Sequence, residues 1–117
     1  MRFVGSVSDV RPYHAAADSF ALATHYDPFP NAALEAMASG LPIVTTPRCG
    51  AAEMLREGES GFIRDALDIA GLAEALERLD PPTAGRMGER AREAVKALTP
   101  AAMAEEYLAL YHRLLRR

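Results

Sequence analysis

The sequence predicts an α/β protein, with a parallel sheet flanked by helices and a helical tail. Two observations carry this. Up to Asp65, short apolar runs of strand length alternate with helical segments, the pattern of β-α-β units. After Asp65 only helical spacing of apolar residues remains.

The elements follow in order. Arg2–Val7 is a short β-type run containing Gly5-Ser6, and Asp9 to Ala17 reads as a short helix that tolerates Pro12 in its first turn. Ser19–Thr24 is a second strand. A polar loop, His25 to Pro30, leads to a helix opening on Asn31 and stopped by Gly40. Leu41–Thr46 is the third strand. Ala51–Glu57 reads as helical and is closed by Gly58, and Gly61–Ile63 is a fourth short strand. Leu67, Ile69, Leu72, Ala73, Leu76 and Leu79 recur at helical spacing. Pro81-Pro82 reads as a break, with Thr83 capping a helix to about Leu98. Thr99-Pro100 is a start signal, a capping hydroxyl followed by proline at the first helical position. Met103, Tyr107, Leu108, Leu110, Tyr111, Leu114 and Leu115 then form one broad apolar face.

With 117 residues the chain is one domain at most, divided as 1–65, an α/β part, and 66–117, the C-terminal helices of the same domain. A net charge of −3 gives no electrostatic footprint for nucleic acid. No apolar run approaches the roughly 20 residues of a membrane span, and no stretch reads as a signal peptide. The single cysteine, Cys49, fits a reducing cytosol and reads as a small loop residue. The expected location is cytoplasmic, with Arg113, Arg116 and Arg117 as a feature suited to peripheral contact with the inner membrane. His14, His25 and His112 are too scattered for a metal site, and no Cys/His spacing supports one.

The run from His25 to Val44 carries the chemistry. A helix N-terminus gathers unpaired N–H groups and the positive end of a dipole, which suits a phosphate. Asp27 precedes that helix and Glu35 lies on its second turn, so carboxylates flank the tip and can hold hydroxyls. The combination points to a phosphorylated sugar or a nucleotide sugar. Each residue also has a plainer reading. Asp27 before Pro28 suits a turn, Glu35 suits a solvated helix face, Asn31 is an N-cap, and Gly5 is a tight turn.

The same run resembles the E-x7-E segment of retaining glycosyltransferases of the GT-B fold, family 4 (glycosyl transferases group 1). Leu34-Glu35-Ala36-Met37-Ala38-Ser39-Gly40-Leu41-Pro42-Ile43-Val44 follows the family's L-E-A-M-A-x-G-x-P-V-V. Phe3-Val4-Gly5 with Tyr13 to Asp18 is similar to its F-L-G and Y-x-x-A-D. Glu53, Gly58 and Gly61-Phe62-Ile63 are similar to its E-x4-G-x2-G-F-L. As a set these motifs are specific; singly they are weak. Asp27 stands where the family more often has Glu, and Pro30 where Gly is common.

The resemblance implies a Rossmann-like, C-terminal donor-binding part of a GT-B enzyme, incomplete in this chain. It implies transfer of a sugar from a nucleotide diphosphate sugar to an acceptor with retention of configuration, without metal or other cofactor. Asp27 would lie beside the donor sugar, near its 3-hydroxyl, as the catalytic-site carboxylate with an electrostatic or hydroxyl-holding role. Glu35 would hold the ribose hydroxyls, and Phe29, Pro30, Asn31, Ala32 and Ala33 would line the sugar and phosphates. Pro30 has no N–H, so one donor commonly used by the family is lost. Gly5 and Ser6 would lie near the nucleobase.

Four strands are few for a doubly wound sheet of order 3-2-1-4-5-6, and two are missing beside the first and second. The expectation is therefore a fragment, inactive alone, whose acceptor glycan or lipid-linked sugar is read by a missing domain. The alternatives are a nucleotide-sugar-binding module completed by a partner chain, for example as a strand-exchanged homodimer, or a nucleotide-sugar epimerase of the same architecture.

Overall fold

The structure, a computed structural model, is described for residues 1–116. Its elements are α1 (Arg11–Ala16), β1 (Phe20–Leu22), α2 (Asn31–Ala38), β2 (Ile43–Thr45), a 3₁₀ helix (Gly50–Met54), β3 (Gly61–Ile63), α3 (Ile69–Glu77), α4 (Pro81–Val95) and α5 (Pro100–Leu115). The three strands form one parallel sheet in the order β1-β2-β3, with Phe20 opposite Ile43 and Ile43 opposite Gly61.

All three residues of β2 are buried, as expected for the middle of a parallel sheet covered on both faces. Alternation sends Ile43 and Val44 to opposite faces. Ile43 packs with Ala36 and Met37 of α2 and with Ala91 and Val95 of α4. Val44 packs with Phe62, Ala75 of α3 and Met87 of α4. The α2–α4 approach depends on a missing side chain: a β-carbon at Gly88 would collide with the carbonyl oxygen of Gly40.

Local signals explain the boundaries. Gly40 (φ +82°) ends α2, with its N–H donating to the Met37 carbonyl at 2.9 Å and the Leu41 N–H donating to the Ala36 carbonyl at 3.1 Å. This paired arrangement satisfies the last carbonyls of the helix and requires a left-handed residue, which glycine supplies without strain. Beyond β2, the Thr46 hydroxyl donates to the Thr24 carbonyl at 2.7 Å, so the β1 and β2 extensions stay tied past the last ladder bond.

Several expected elements differ. Residues 2–7 form no strand; a lone extended segment has no ladder to satisfy its N–H and C=O groups, and Gly5 at φ +78° breaks the extension. The residue before the first turn of α2 is Pro30, with Asn31 already helical, and no side chain caps the helix. Asn31 is therefore not the N-cap. The segment after Cys49 is a short 3₁₀ helix that ends at Met54 and does not run on to Glu57.

Pro81-Pro82 opens α4 instead of breaking the chain. Both prolines sit where an N–H would be orphaned anyway, and Asp80 rather than Thr83 is the cap, accepting the Thr83 amide at 2.9 Å. α3 is likewise capped by Asp68, and Leu67 and Ile69 are exposed rather than on its packed side. α5 starts as expected, with the Thr99 hydroxyl accepting the Ala102 amide at 3.1 Å. It buries none of its residues, so its apolar face is open.

Candidate functional site

The loops that leave the carboxyl ends of the three parallel strands meet on one edge of the sheet. In open α/β sheets ligands collect at that edge. The loop after β1 carries His25, Asp27 and Phe29 into α2; the loop after β2 carries Arg48 and Cys49; the loop after β3 carries Asp65.

The first two loops are stitched together by backbone. The Asp27 N–H donates to the Arg48 carbonyl at 3.2 Å, and the Gly50 N–H donates to the Asp27 carbonyl at 2.9 Å. Together they make an isolated parallel bridge between Asp27 and Cys49. Cys49 is buried with Ala33 and Ala51 beneath this bridge, where its size matters more than its thiol. Pro28 lies so close to Gly50 that a β-carbon there would strike its carbonyl oxygen. Asp27 is thus half-buried on a fixed backbone. Its carboxylate has no hydrogen bond or ion pair among the described residues.

At the tip of α2, the Ala33 and Leu34 amides both return to the Pro30 carbonyl, at 3.2 and 3.4 Å. The Asn31 and Ala32 amides precede the first intrahelical bonds and are directed at no partner among the described residues. Asn31 and Ala32 are exposed and Ala33 is buried. Phe29 is exposed beside the tip, and Pro30 is buried under it. Glu35 is exposed on α2, its carboxylate free of partners among the described residues, while its carbonyl accepts from Ser39.

Asp27 and the amide-bearing tip of α2 are therefore adjacent, but neither Asp27 nor Glu35 lines the hollow bounded by Thr24, His25 and Arg48 or the groove beside Gly5. The tip is open. Gly5 is elsewhere, in an apolar groove with Val7, Tyr13, Phe20 and Leu41, next to the amino ends of β1 and β2. Ser6 is exposed on the same segment. These two are not brought to the Asp27 loop.

Sequence reasoning missed a hollow of about 270 Å³ at the strand ends, lined by Thr24, His25, Thr46, Arg48, Asp65 and Leu67. No single motif marks it, because three separate loops build it. The signal available was positional: Thr24 and Thr46 end predicted strands, and His25, Arg48 and Asp65 follow predicted strands by one or two places. Among the described residues, no group of three His, Cys, Asp or Glu side chains could hold a metal ion. No helix among them is long and apolar enough to cross a membrane.

The chain is similar to known proteins over most of its length. It is 35% identical over 113 residues to the lipopolysaccharide core biosynthesis glycosyltransferase LpsE of Rhizobium meliloti, covering 94% of this chain and 33% of that protein. It is 40% identical over 101 residues to glycogen synthase of Mycobacterium tuberculosis, covering 84% of this chain and 24% of that protein. Among solved structures it superposes on sucrose-phosphate synthase from Thermosynechococcus elongatus with a TM-score of 0.82 at 32% identity, over 92% of this chain and 28% of that one. The chain thus spans about a third or less of the proteins it matches. The family model of glycosyl transferases group 1 matches residues 1–80, and with these relatives and the shared GT-B architecture it follows that the chain belongs to the glycosyl transferases group 1.

Proposed function

We propose that the chain is the donor-binding part of a glycosyltransferase that moves a sugar from a nucleotide diphosphate sugar to an acceptor with retention of configuration. One observation carries this reading. The α2 tip offers two unpartnered amides, Asn31 and Ala32, next to an unpaired half-buried carboxylate, Asp27. Amides and the dipole would take the donor phosphates. Asp27 would stand near the sugar, where its charge stabilises an oxocarbenium-like transition state. Glu35, one turn along α2, would hold the ribose hydroxyls. Phe29, Pro30 and Ala33 shape the cradle; Pro30 contributes no N–H and so removes one contact to the sugar. Gly5 and Ser6 lie outside this cradle, and the proposal leaves them out.

On this reading residues 1–65 form the nucleotide-sugar part and 66–117 its helical cover. The acceptor is held mainly by a domain beyond this chain, and the chain alone transfers little sugar, because the water-excluding cleft is half built. A second reading is a binding module completed by another chain. It is favoured by β1, which pairs on one side only, and by α5, which buries nothing. The donor reading is tested by titrating the chain with UDP, GDP and ADP. Glu35→Ala should weaken the preferred nucleotide by about 1.5–3 kcal/mol, the worth of a hydrogen bond to a charged group; equal binding by variant and parent removes that role.

A further inference from the structure

The hollow at the strand ends is lined by Thr24 and His25, which precede Asp27 in its loop, while the α2 tip follows Asp27. Its polar groups divide into committed and free. The Thr46 hydroxyl is spent on the Thr24 carbonyl at 2.7 Å, and the Thr24 hydroxyl bonds Tyr26 backbone. One Asp65 oxygen accepts the Leu67 amide at 2.9 Å. Arg48 is exposed and pairs with no carboxylate among the described residues, whereas Arg11, Arg56, Arg64 and Arg90 each do. Arg48, with no carboxylate partner among the described residues, and His25 therefore line one concavity with a single acidic residue, Asp65.

Its position is fixed relative to the reaction point. The Arg48 carbonyl accepts the Asp27 amide at 3.2 Å, and His25 precedes Asp27 by two residues, so backbone ties two walls of this hollow to Asp27. A guanidinium presents a planar fork of donors matched to a phosphate or carboxylate.

We propose that this hollow is a subsite for an oxyanion, a phosphate or carboxylate group, carried by the acceptor, with Arg48 as its counter-charge and His25 as a second hydrogen-bonding group. The inference rests on the donor reading: with the nucleotide's phosphates on the α2 tip, the hollow built by the residues before Asp27 is left for the acceptor. Asp65, with one oxygen unspent, receives a hydroxyl of the same molecule.

The test is an amide-resolved NMR titration of the isotope-labelled chain with inorganic phosphate, alone and after saturation with UDP. Phosphate is expected to shift the amides of residues 24–25, 46–48 and 65–67. Its affinity should fall about tenfold in Arg48→Gln, as for loss of a charge-assisted bond, and recover in part in Arg48→Lys. Glu35→Ala and prior UDP should leave it unchanged. Equal phosphate binding by Arg48→Gln, or shifts around Arg113 and Arg116 instead, would overturn the subsite. Displacement of phosphate by UDP would overturn it too, by assigning the hollow to the donor's own diphosphate. If UDP does not bind while phosphate still fills the hollow, the donor reading fails and the oxyanion site stands.

Discussion

The Gly50 amide donates to the Asp27 carbonyl at 2.9 Å, and the space that a side chain at Gly50 would need is taken by the Pro28 carbonyl oxygen. The loop that carries the candidate catalytic carboxylate is held in place by a residue more than twenty positions downstream, through backbone alone.

Gly50→Ala should therefore both destabilise the chain and displace Asp27. Forcing one methyl group into filled space costs about 1–3 kcal/mol. The control is Gly85→Ala in α4, where an added β-carbon meets nothing within 4 Å. There the change should be stabilising by roughly 0.5–1 kcal/mol, since alanine is the better helix residue. Urea unfolding of both variants decides the matter: similar midpoints would mean that the approach of the two loops is looser than described.

The start of α4 should be sensitive to acid. Hydrogen bonding from Thr83, side chain first and backbone amide second, holds the Asp80 carboxyl below its usual range, with Arg86 adding a smaller effect of the same sign. A carboxyl depressed in the folded state contributes stability above its unfolded value of about 3.9 and loses it as pH falls through the lower folded value. Asp80→Asn should flatten that acid limb while leaving stability near neutrality less affected, because asparagine also caps helices. Thermal melts between neutral pH and the acid limb read the difference; parallel curves for parent and variant would contradict it.

α5 is expected to exchange its amide hydrogens far faster than α2 or β2. None of its residues is buried, with Leu115 at 84% exposure, whereas Met37 and Ile43 are fully enclosed. Local opening of a helix with no buried residue costs little. Hydrogen exchange followed by mass spectrometry should show early labelling across 100–115 and late labelling of 36–37 and 43–45. Equal protection would mean that something covers α5, and self-association would be the first explanation to measure.

How much of this was legible in the sequence depends on the range of the interactions. β1, β2 and β3 were legible because short apolar runs bounded by polar or turn-forming residues need only local pattern. Residues 2–7 have the same pattern and form no strand, because a strand exists only with a neighbour to pair with. The Asp80 cap was hidden by Pro81-Pro82, read as a break although two prolines after an aspartate satisfy the same rule that located Thr99-Pro100. Asn31 has the chemistry of an N-cap, yet Pro30 occupies that place.

Of the site, the α2 tip and its two acidic neighbours were legible from one continuous run. The bridge from Asp27 to Cys49 was not, since it joins loops separated by a helix and a strand. The hollow around Arg48 was missed for the same reason: its walls come from three loops that only the sheet brings together.

The central claim is that the unpartnered amides of Asn31 and Ala32 receive the phosphates of a nucleotide. The most direct measurement is the amide NMR spectrum of the chain titrated with UDP, GDP and ADP in turn. The account predicts saturable shifts centred on residues 29, 31, 32 and 35 for at least one of the three. Shifts confined to other parts of the chain, or none up to millimolar nucleotide, would contradict it.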